Sequence, residues 1–184
     1  MKLMIASDIH GSALYCQDLL GSLEREGAQR LVLLGDLLYH GPRNDLPDLY
    51  DPKRVASMLN GVKERLLCIR GNCDAEVDQM MLEFPIGADY AVLFAGERMI
   101  YATHGHVYNE QHTPPLSAGD ILLYGHTHIP ACTERNGILF LNPGSVSIPK
   151  GDSVRSYMTF DGNEFLWKAI EDGAVLSSFR LDEA

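Results

Sequence analysis

Short apolar runs separated by turn residues are the feature of this sequence that most constrains its fold. In the first half, the runs at residues 2–7, 30–35 and 65–70 have the length and composition of buried strands. Helices are predicted between them, at about 12–27 and 53–60. Strands that alternate with helices are typical of parallel βαβ units. The first half is therefore predicted to form a parallel sheet.

The first predicted helix has recognisable ends. Ser12 can cap its N-terminus, and Gly27 can terminate it. Its predicted buried face consists of Leu14, Leu19, Leu20 and Leu23. Residues 39–52 follow the second strand and contain three prolines, which predicts a long loop of the kind that often carries function.

The second half has the pattern of β-hairpins. Turns are predicted at Gly96-Glu97, at Asn136-Gly137 and at residues 161–163, and a last strand at residues 175–181. Parallel units followed by hairpins predict an α/β fold of two packed mixed β-sheets flanked by helices, an αββα sandwich. No linker or repeat divides the chain, so a single domain over residues 1–184 is expected.

Charge and composition narrow the classes of function. The formal net charge is −10 without a basic cluster, which argues against stable nucleic-acid or membrane-surface binding. The four cysteines lack paired spacing, as expected of reduced thiols in the cytoplasm. The first apolar run meets Asp8, too early for a signal peptide or a membrane span. An anionic substrate would need an attraction other than a basic patch.

Metal-ligand residue types follow five of the predicted strands. They are Asp8 and His10, then Asp36, then Asn72, Cys73 and Asp74, then His104 and His106, and finally His126 and His128. Each could separately be a helix cap or a turn residue. Because ligands bind at the carboxyl ends of strands in α/β sheets, one shared metal site explains all five together.

The number of candidate ligands favours two ions. Seven of these residues are the candidate ligands, and their mixed oxygen and imidazole donors exceed the needs of one catalytic ion that keeps an open position: Asp8, His10, Asp36, Asn72, His104, His126 and His128. A carboxylate shared between two divalent ions would produce a dinuclear centre. Two divalent ions would bring four positive charges, whereas Asp8 and Asp36 supply only two negative charges. The pocket would therefore be positive and attract phosphate although the chain is acidic. If "HTH" is extended, His126 and His128 share a face and can enter one pocket.

The ordered blocks "DIH", "GD", "GNCD", "THGH" and "GHTH" resemble the calcineurin-like metallophosphoesterase family. The resemblance runs from Lys2 to about Lys150, and "NPGSVSIPK" makes it closest to the small bacterial phosphodiesterases. It implies that Asp36 bridges two metal ions. The remaining ligands would be Asp8, His10 and His128 at one ion, and Asn72, His104 and His126 at the other. Manganese is expected, with iron, zinc or nickel as alternatives, because imidazole ligands disfavour magnesium.

The resemblance also implies a mechanism, in which a metal-bridging hydroxide hydrolyses a small phosphodiester. Its catalytic residues would be Asn72, Cys73 and His104. Many family members have histidine where this chain has Cys73, and a thiol is a poor acid, so activated leaving groups should be preferred. Asp74 is expected to hold a neighbouring histidine in position. His106 is expected to lie beside the metal ligands, and Ser145 is expected to shape the pocket wall.

Two other functions remain open from the sequence. A phosphomonoesterase or protein phosphatase would need further cations, for which Arg43, His40 and Lys150 are the candidates. A non-catalytic scaffold is the second alternative, since a eukaryotic retromer subunit has this fold. Self-association through edge strands and residues 39–52 is also expected.

Overall fold

The computed structural model describes residues 1–181 and contains two β-sheets and two α-helices. In chain order the elements are β1 (Leu3–Ala6), α1 (Ala13–Arg25), β2 (Arg30–Leu33), α2 (Pro52–Asn60), β3 (Leu66–Cys68), β4 (Tyr90–Ala95), β5 (Arg98–Thr103), β6 (Ile121–Leu123), β7 (Ala131–Arg135), β8 (Ile138–Asn142), β9 (Ser156–Phe160), β10 (Glu164–Ala169) and β11 (Val175–Arg180). Short 3₁₀ helices span Lys63–Arg65 and Asp78–Met80.

Both sheets are mixed. The first has the strand order β11-β10-β9-β1-β2-β3, in which β1, β2 and β3 are parallel and the others antiparallel. The second has the order β4-β5-β6-β8-β7, with a parallel centre of β5, β6 and β8 between antiparallel edges. The predicted fold class is confirmed.

Alternate residues of β1 face different layers. Met4 packs with Leu19 of α1 and Val55 of α2, so both helices cover the first sheet. Ile5 points the other way and packs with Leu123 of the second sheet, in a core between the sheets. This alternation follows from the period of two along a strand.

The predicted ends of α1 are confirmed, but its predicted buried face is partly wrong. The Ser12 hydroxyl accepts a hydrogen bond from the Tyr15 amide at 3.3 Å. Leu14 is 39 % exposed, whereas Tyr15 and Cys16 are buried. Leu14 lies on the side of the helix that faces away from the sheet, whereas Leu19 and Leu23 are buried as predicted and Leu20 is partly buried.

The three predicted hairpins are present as β4-β5, β7-β8 and β9-β10. At the second turn both Asn136 and Gly137 have positive φ, 53° and 75°, as a type I′ turn requires. The parallel strands β1, β2 and β3 of one sheet and β5 and β6 of the other end at a common edge, where the chain turns into polar loops. Within residues 1–181, no helix has the length and apolarity to cross a membrane.

Candidate metal centre

The five strand ends bring the predicted ligand types together in two adjoining groups. The first contains Asp8, His10 and His128, and the second contains Asp36, His104 and His126. Within each group the potential ligand atoms all lie within 4.8 Å of one another. The division between the groups is the one that the family resemblance implies.

Asp36 lies between the two groups. Its Oδ2 is 3.6 Å from Nε2 of His10 in the first group and 3.4 Å from Nε2 of His104 in the second. Asn72 joins the second group, with its Oδ1 3.0 Å from the same nitrogen of His104. A single carboxylate oxygen therefore faces both groups, as a bridging ligand would.

Three of the histidines have their rings fixed by backbone carbonyls. His10, His104 and His128 each place Nδ1 within hydrogen-bond distance of a carbonyl oxygen. The acceptors are Tyr39, Leu34 and Ile148, at 2.8, 2.7 and 2.6 Å. Since a carbonyl only accepts, Nδ1 carries a proton and each ring points Nε2 into the site, where its lone pair can bind a cation once the ring is neutral.

The donor atoms at this site do not all satisfy one another by hydrogen bonds, and a bound cation would satisfy them. Oδ1 of Asp8 is buried without a hydrogen-bond partner. It lies 3.4 Å from Nε2 of His128 and 3.6 Å from Nε2 of His10, and these two nitrogens are 3.2 Å apart. A buried carboxylate oxygen among converging lone pairs is unfavourable until a positive charge joins it. Mixed imidazole and carboxylate donors suit a divalent transition ion.

The backbone at the site is strained. Five candidate ligands have left-handed φ values between 48° and 66°, where non-glycine residues are uncommon: Asp8, His10, Asp36, His126 and His128. The segment "HTH" is therefore not extended, so the condition under which the two histidines were expected to share a face is not met. His126 and His128 reach adjacent groups because both are left-handed, which turns the chain sharply after β6.

Hydrogen bonds from the "NPGSVS" segment hold this strained backbone. The hydroxyls of Ser145 and Ser147 donate to the carbonyl of Asp8 at 2.9 and 3.1 Å. The side-chain Nδ2 of Asn142 donates to the carbonyl of Gly125 at 2.8 Å. Ser145 is buried and does not line the cavity, so its prediction as a pocket wall is wrong: it positions Asp8 from behind. The polar segment was visible in the sequence, but its partner was not.

Asp74 supports Asp36 rather than a histidine, contrary to the prediction. Its carboxylate accepts hydrogen bonds from the amides of Asp36, Leu37 and Gly71, at 2.8, 2.8 and 2.7 Å. The loop after β2 is thereby tied to the loop after β3. The approach is close: a Cβ added to Gly71 would lie 2.1 Å from Oδ1 of Asp36. Glycine is needed at position 71 because of this contact.

Charges in the site influence one another strongly. Burial alone would raise the pKa of Asp8 and of Asp36, but the nearby imidazoles outweigh it and lower both. Burial acts to lower the pKa of His104, yet Asp36 and Asp8 raise it to about 9. For His126, burial and repulsion from His104 act together and lower the pKa to about 4. His126 is thus held neutral, as a metal ligand must be.

Cys73 and His106 lie beside these groups. The Sγ of Cys73 clusters with His10 and Asp36, and its amide donates to Oδ1 of Asp36 at 2.8 Å. Burial and the Asp36 carboxylate raise the pKa of this thiol to about 12. It therefore keeps its proton at neutral pH. His106 is exposed, with its ring centre 5.4 Å from that of His104.

The groups open into a cavity of about 420 Å³. Of the predicted cationic contacts, Arg43 and Lys150 line it, but His40 does not. The His40 ring packs edge-on between Tyr39 and Tyr50, at centroid distances of 4.8 and 5.2 Å. The prediction of His40 as a cationic contact is therefore wrong.

Comparisons with known proteins agree with this geometry. Residues 1–164 match the calcineurin-like phosphoesterase superfamily domain. The chain is 44 % identical over 182 residues to phosphodiesterase YfcE of Escherichia coli K12, covering 99 % of each chain. The solved structure of Yfce, a phosphoesterase from E. coli, superposes with a TM-score of 0.95 over 99 % of this chain and 100 % of that one.

A more distant likeness concerns the fold alone. Vacuolar protein sorting 29 from Cryptosporidium parvum superposes with a TM-score of 0.63 at 21 % identity, covering 98 % of each chain. The match over residues 1–164 and the relationship to YfcE are decisive: the chain belongs to the calcineurin-like phosphoesterase superfamily. It is an enzyme of the hydrolase class, and its family implies a divalent metal.

Proposed function

We propose that the protein is a phosphodiesterase that hydrolyses small phosphodiesters with the help of two divalent manganese ions. The observation that carries the proposal is the placing of one oxygen of Asp36 between two groups of nitrogen and oxygen donors. One ion would be held by Asp8, His10 and His128, and the other by Asn72, His104 and His126, with Asp36 shared. The 44 % identity to a phosphodiesterase supports the reaction class.

The chemistry that such ions supply is the acidification of water and the neutralisation of charge on the phosphoryl oxygens. The chain's own contribution is to fix the donors in advance. Carbonyl oxygens hold the tautomers of three histidines, and Asp74 and Ser145 hold the backbones of Asp36 and Asp8. Ligand positions that are fixed before binding reduce the entropy cost of assembling the site.

Cys73 favours diesters with good leaving groups. Its side chain lines the cavity beside Asn72. A thiol has an ordinary pKa of about 8.5 and is a weaker general acid at neutral pH than the imidazolium of the histidine that many family members have at this position. Departing groups that need no proton, such as nitrophenolate, are therefore expected to react fastest. This lack of a strong acid separates the site from one built for alkyl monoesters.

The test begins with protein stripped of metal by a chelator. Hydrolysis of bis(4-nitrophenyl) phosphate should be absent, should return with Mn²⁺, and should exceed hydrolysis of 4-nitrophenyl phosphate. Asp36→Asn and His126→Ala should each reduce kcat at least about a hundredfold, because even the loss of a group supporting a metal ligand costs 10–100-fold. His112→Ala, which removes an exposed histidine, is the matched control and should retain full activity.

Faster turnover of the monoester would identify a phosphomonoesterase instead. Metal binding without turnover of either compound would favour the scaffold. Inductively coupled plasma analysis supplies an independent measure, since the proposal requires about two ions per chain in the wild type and fewer in Asp36→Asn.

We also propose that the protein acts in the cytoplasm and self-associates. The edge strand β4 exposes Val92 and Phe94, the latter 70 % exposed. An apolar edge strand without charges is a ready surface for pairing. Sedimentation that shows only monomer at micromolar concentration would contradict self-association.

A further inference from the structure

A second depression adjoins the candidate metal centre on one side. It is shallow, with a volume of about 780 Å³, and we call it the Arg70 basin after a residue of its rim. It meets the metal cavity at Asn72 and Cys73, which line both. A substrate whose phosphate lay at the candidate ligands would therefore extend one ester group into the Arg70 basin.

Unpaired cations border this path. Within residues 1–181, the side chains of Arg43 and Lys150 form no ion pair and no hydrogen bond. Arg70 donates only from Nε, to the backbone carbonyl of Asp74 at 3.4 Å, which leaves its terminal nitrogens for another acceptor. Arg43 and Arg70 line the Arg70 basin and Lys150 lines the metal cavity, so cations without a carboxylate partner border the whole path, although Glu76 and the buried Asp74 also belong to the lining of the Arg70 basin.

The opposite flank of the metal cavity differs. There a depression of about 320 Å³ contains Arg135, but Arg135 is paired with Glu110 at 3.3 Å. Glu110 also accepts hydrogen bonds from Tyr124 and Thr133. This flank is internally neutralised, so of the two depressions beside the metal cavity the Arg70 basin is the one whose described residues include cations without a carboxylate partner.

The Arg70 basin also has an aromatic and apolar wall. Tyr39 is 42 % exposed there, and its ring is held edge-on against His40 at 4.8 Å. Val77 is 63 % exposed on the same depression. An exposed aromatic ring in a fixed position is a platform on which a planar ring can stack.

We infer that the substrate is a phosphodiester in which one ester group carries a planar ring and a second anionic group. The ring would lie against Tyr39 and Val77, and the second anion would bind the guanidinium groups of Arg70 and Arg43. This inference rests on the proposed phosphodiesterase function. It makes Arg70 a specificity residue, and it distinguishes the physiological substrate from bis(4-nitrophenyl) phosphate, which carries one negative charge.

A matched pair of substrates tests the second anion. The 4-nitrophenyl ester of thymidine 5′-phosphate and the same compound with a 3′-phosphate share the leaving group and the nucleoside. With Mn²⁺, wild type should prefer the second by about tenfold in kcat/KM, mainly through KM, as expected for one charge-assisted contact. Arg70→Gln should bring this ratio close to one.

Two further variants test whether the preference for the 3′-phosphate comes from charges in the Arg70 basin. Lys53→Gln removes another exposed cation, on α2, and should leave the ratio unchanged. Glu76→Gln removes a carboxylate from the rim of the Arg70 basin and should raise the ratio, because repulsion of the second anion is relieved. Calorimetry with thymidine 3′,5′-bisphosphate and thymidine 5′-phosphate should show the same order in Kd, independently of turnover.

The outcomes separate this inference from the proposed function. Hydrolysis of bis(4-nitrophenyl) phosphate with no preference between the thymidine esters would overturn the inference alone. An unchanged ratio in Arg70→Gln, or a lower ratio in Glu76→Gln, would overturn it as well. Failure to hydrolyse any of the three compounds with any divalent transition ion would instead remove the proposed function.

Discussion

Asp8 and Glu26 are two buried carboxylates that differ in whether the surrounding residues neutralise them. The Glu26 side chain is 6 % exposed and is paired with Lys2 and Lys168, while the hydroxyl of Tyr157 donates to it at 3.0 Å. Asp8 is fully buried, has no lysine or arginine partner among residues 1–181, and leaves Oδ1 without a hydrogen bond. Glu26 is satisfied by the fold, whereas Asp8 is left for a ligand.

The backbone shows the same contrast. Asp8 has a φ of 61°, in the sparsely populated left-handed region. Glu26 follows α1 with a φ of −75° and a helical conformation. Strain and an unsatisfied polar atom at the same residue indicate a site at which stability has been given up for binding. A satisfied ion-pair cluster indicates a structural role.

Removal of the metal should produce the largest effect, a loss of thermal stability that depends on the candidate ligands and not on Glu26. An ion at about a thousandfold over its Kd stabilises the native state by about 4 kcal/mol. For a chain of this length that is a rise in Tm of roughly 8–16 °C. Thermal unfolding with and without Mn²⁺ should show this shift in wild type and in Glu26→Gln, but little of it in Asp36→Asn. An equal shift in all three would mean that the ions bind elsewhere.

Asp74→Asn should have the next largest effect. The carboxylate accepts three backbone amides, and an asparagine would present an NH₂ group to one of them. The variant should lose about 2–3 kcal/mol of unfolding free energy in urea titrations, and its Mn²⁺ affinity should fall by about 10–100-fold.

Asp78→Asn is the matched control for Asp74. Asp78 accepts one amide hydrogen bond, from Ala75 at 2.8 Å, and does not contact Asp36. It should change Mn²⁺ affinity by less than about twofold, because Asp78 makes no hydrogen bond to the backbone of a candidate metal ligand. If the two variants weaken Mn²⁺ binding equally, Asp74 is not a positioning residue.

Glu26→Gln should cost about 1–3 kcal/mol at neutral pH, with a defined pH dependence. Burial would raise the pKa of Glu26, but Lys168, Lys2 and Tyr157 lower it from 4.5 to about 2. A depressed pKa stabilises the fold above the unfolded value and ceases to do so as the pH falls through the folded value. The difference from wild type should therefore be constant above pH 6 and shrink between about pH 4.5 and 2. A difference that grew on acidification would contradict this assignment.

The contrast between the two carboxylates also explains what could be predicted from the sequence. That Asp8, Asp36 and the histidines converge was predictable, because strands with parallel partners end at one sheet edge. The hairpin at Asn136-Gly137 was predictable because that dipeptide tolerates positive φ. These inferences need only local sequence and the general geometry of sheets.

The parts that could not be predicted depend on contacts between distant residues. Ser145 and Asp8 are 137 positions apart, and Asp74 reaches Asp36 across two loops. The left-handed conformation of His126 and His128 is imposed by such contacts and is unfavourable in isolation. Ion pairing also determines which cations have no carboxylate partner. The sequence alone therefore could not distinguish Arg70, which has none within residues 1–181, from Arg135, which is paired with Glu110.

The smallest effect is expected for Lys2→Gln. Lys2 is one of two lysines on Glu26, and its side chain is 31 % exposed, whereas that of Lys168 is 14 % exposed. Because Lys168 and Tyr157 continue to satisfy Glu26, Lys2→Gln should cost less than about 1 kcal/mol. A double-mutant cycle with Glu26→Gln measures the pairwise interaction directly. If Lys2→Gln lowers the free energy of unfolding as much as Glu26→Gln does, the Glu26 carboxylate depends on Lys2 alone. Glu26 would then differ less from Asp8 than its three contacts indicate.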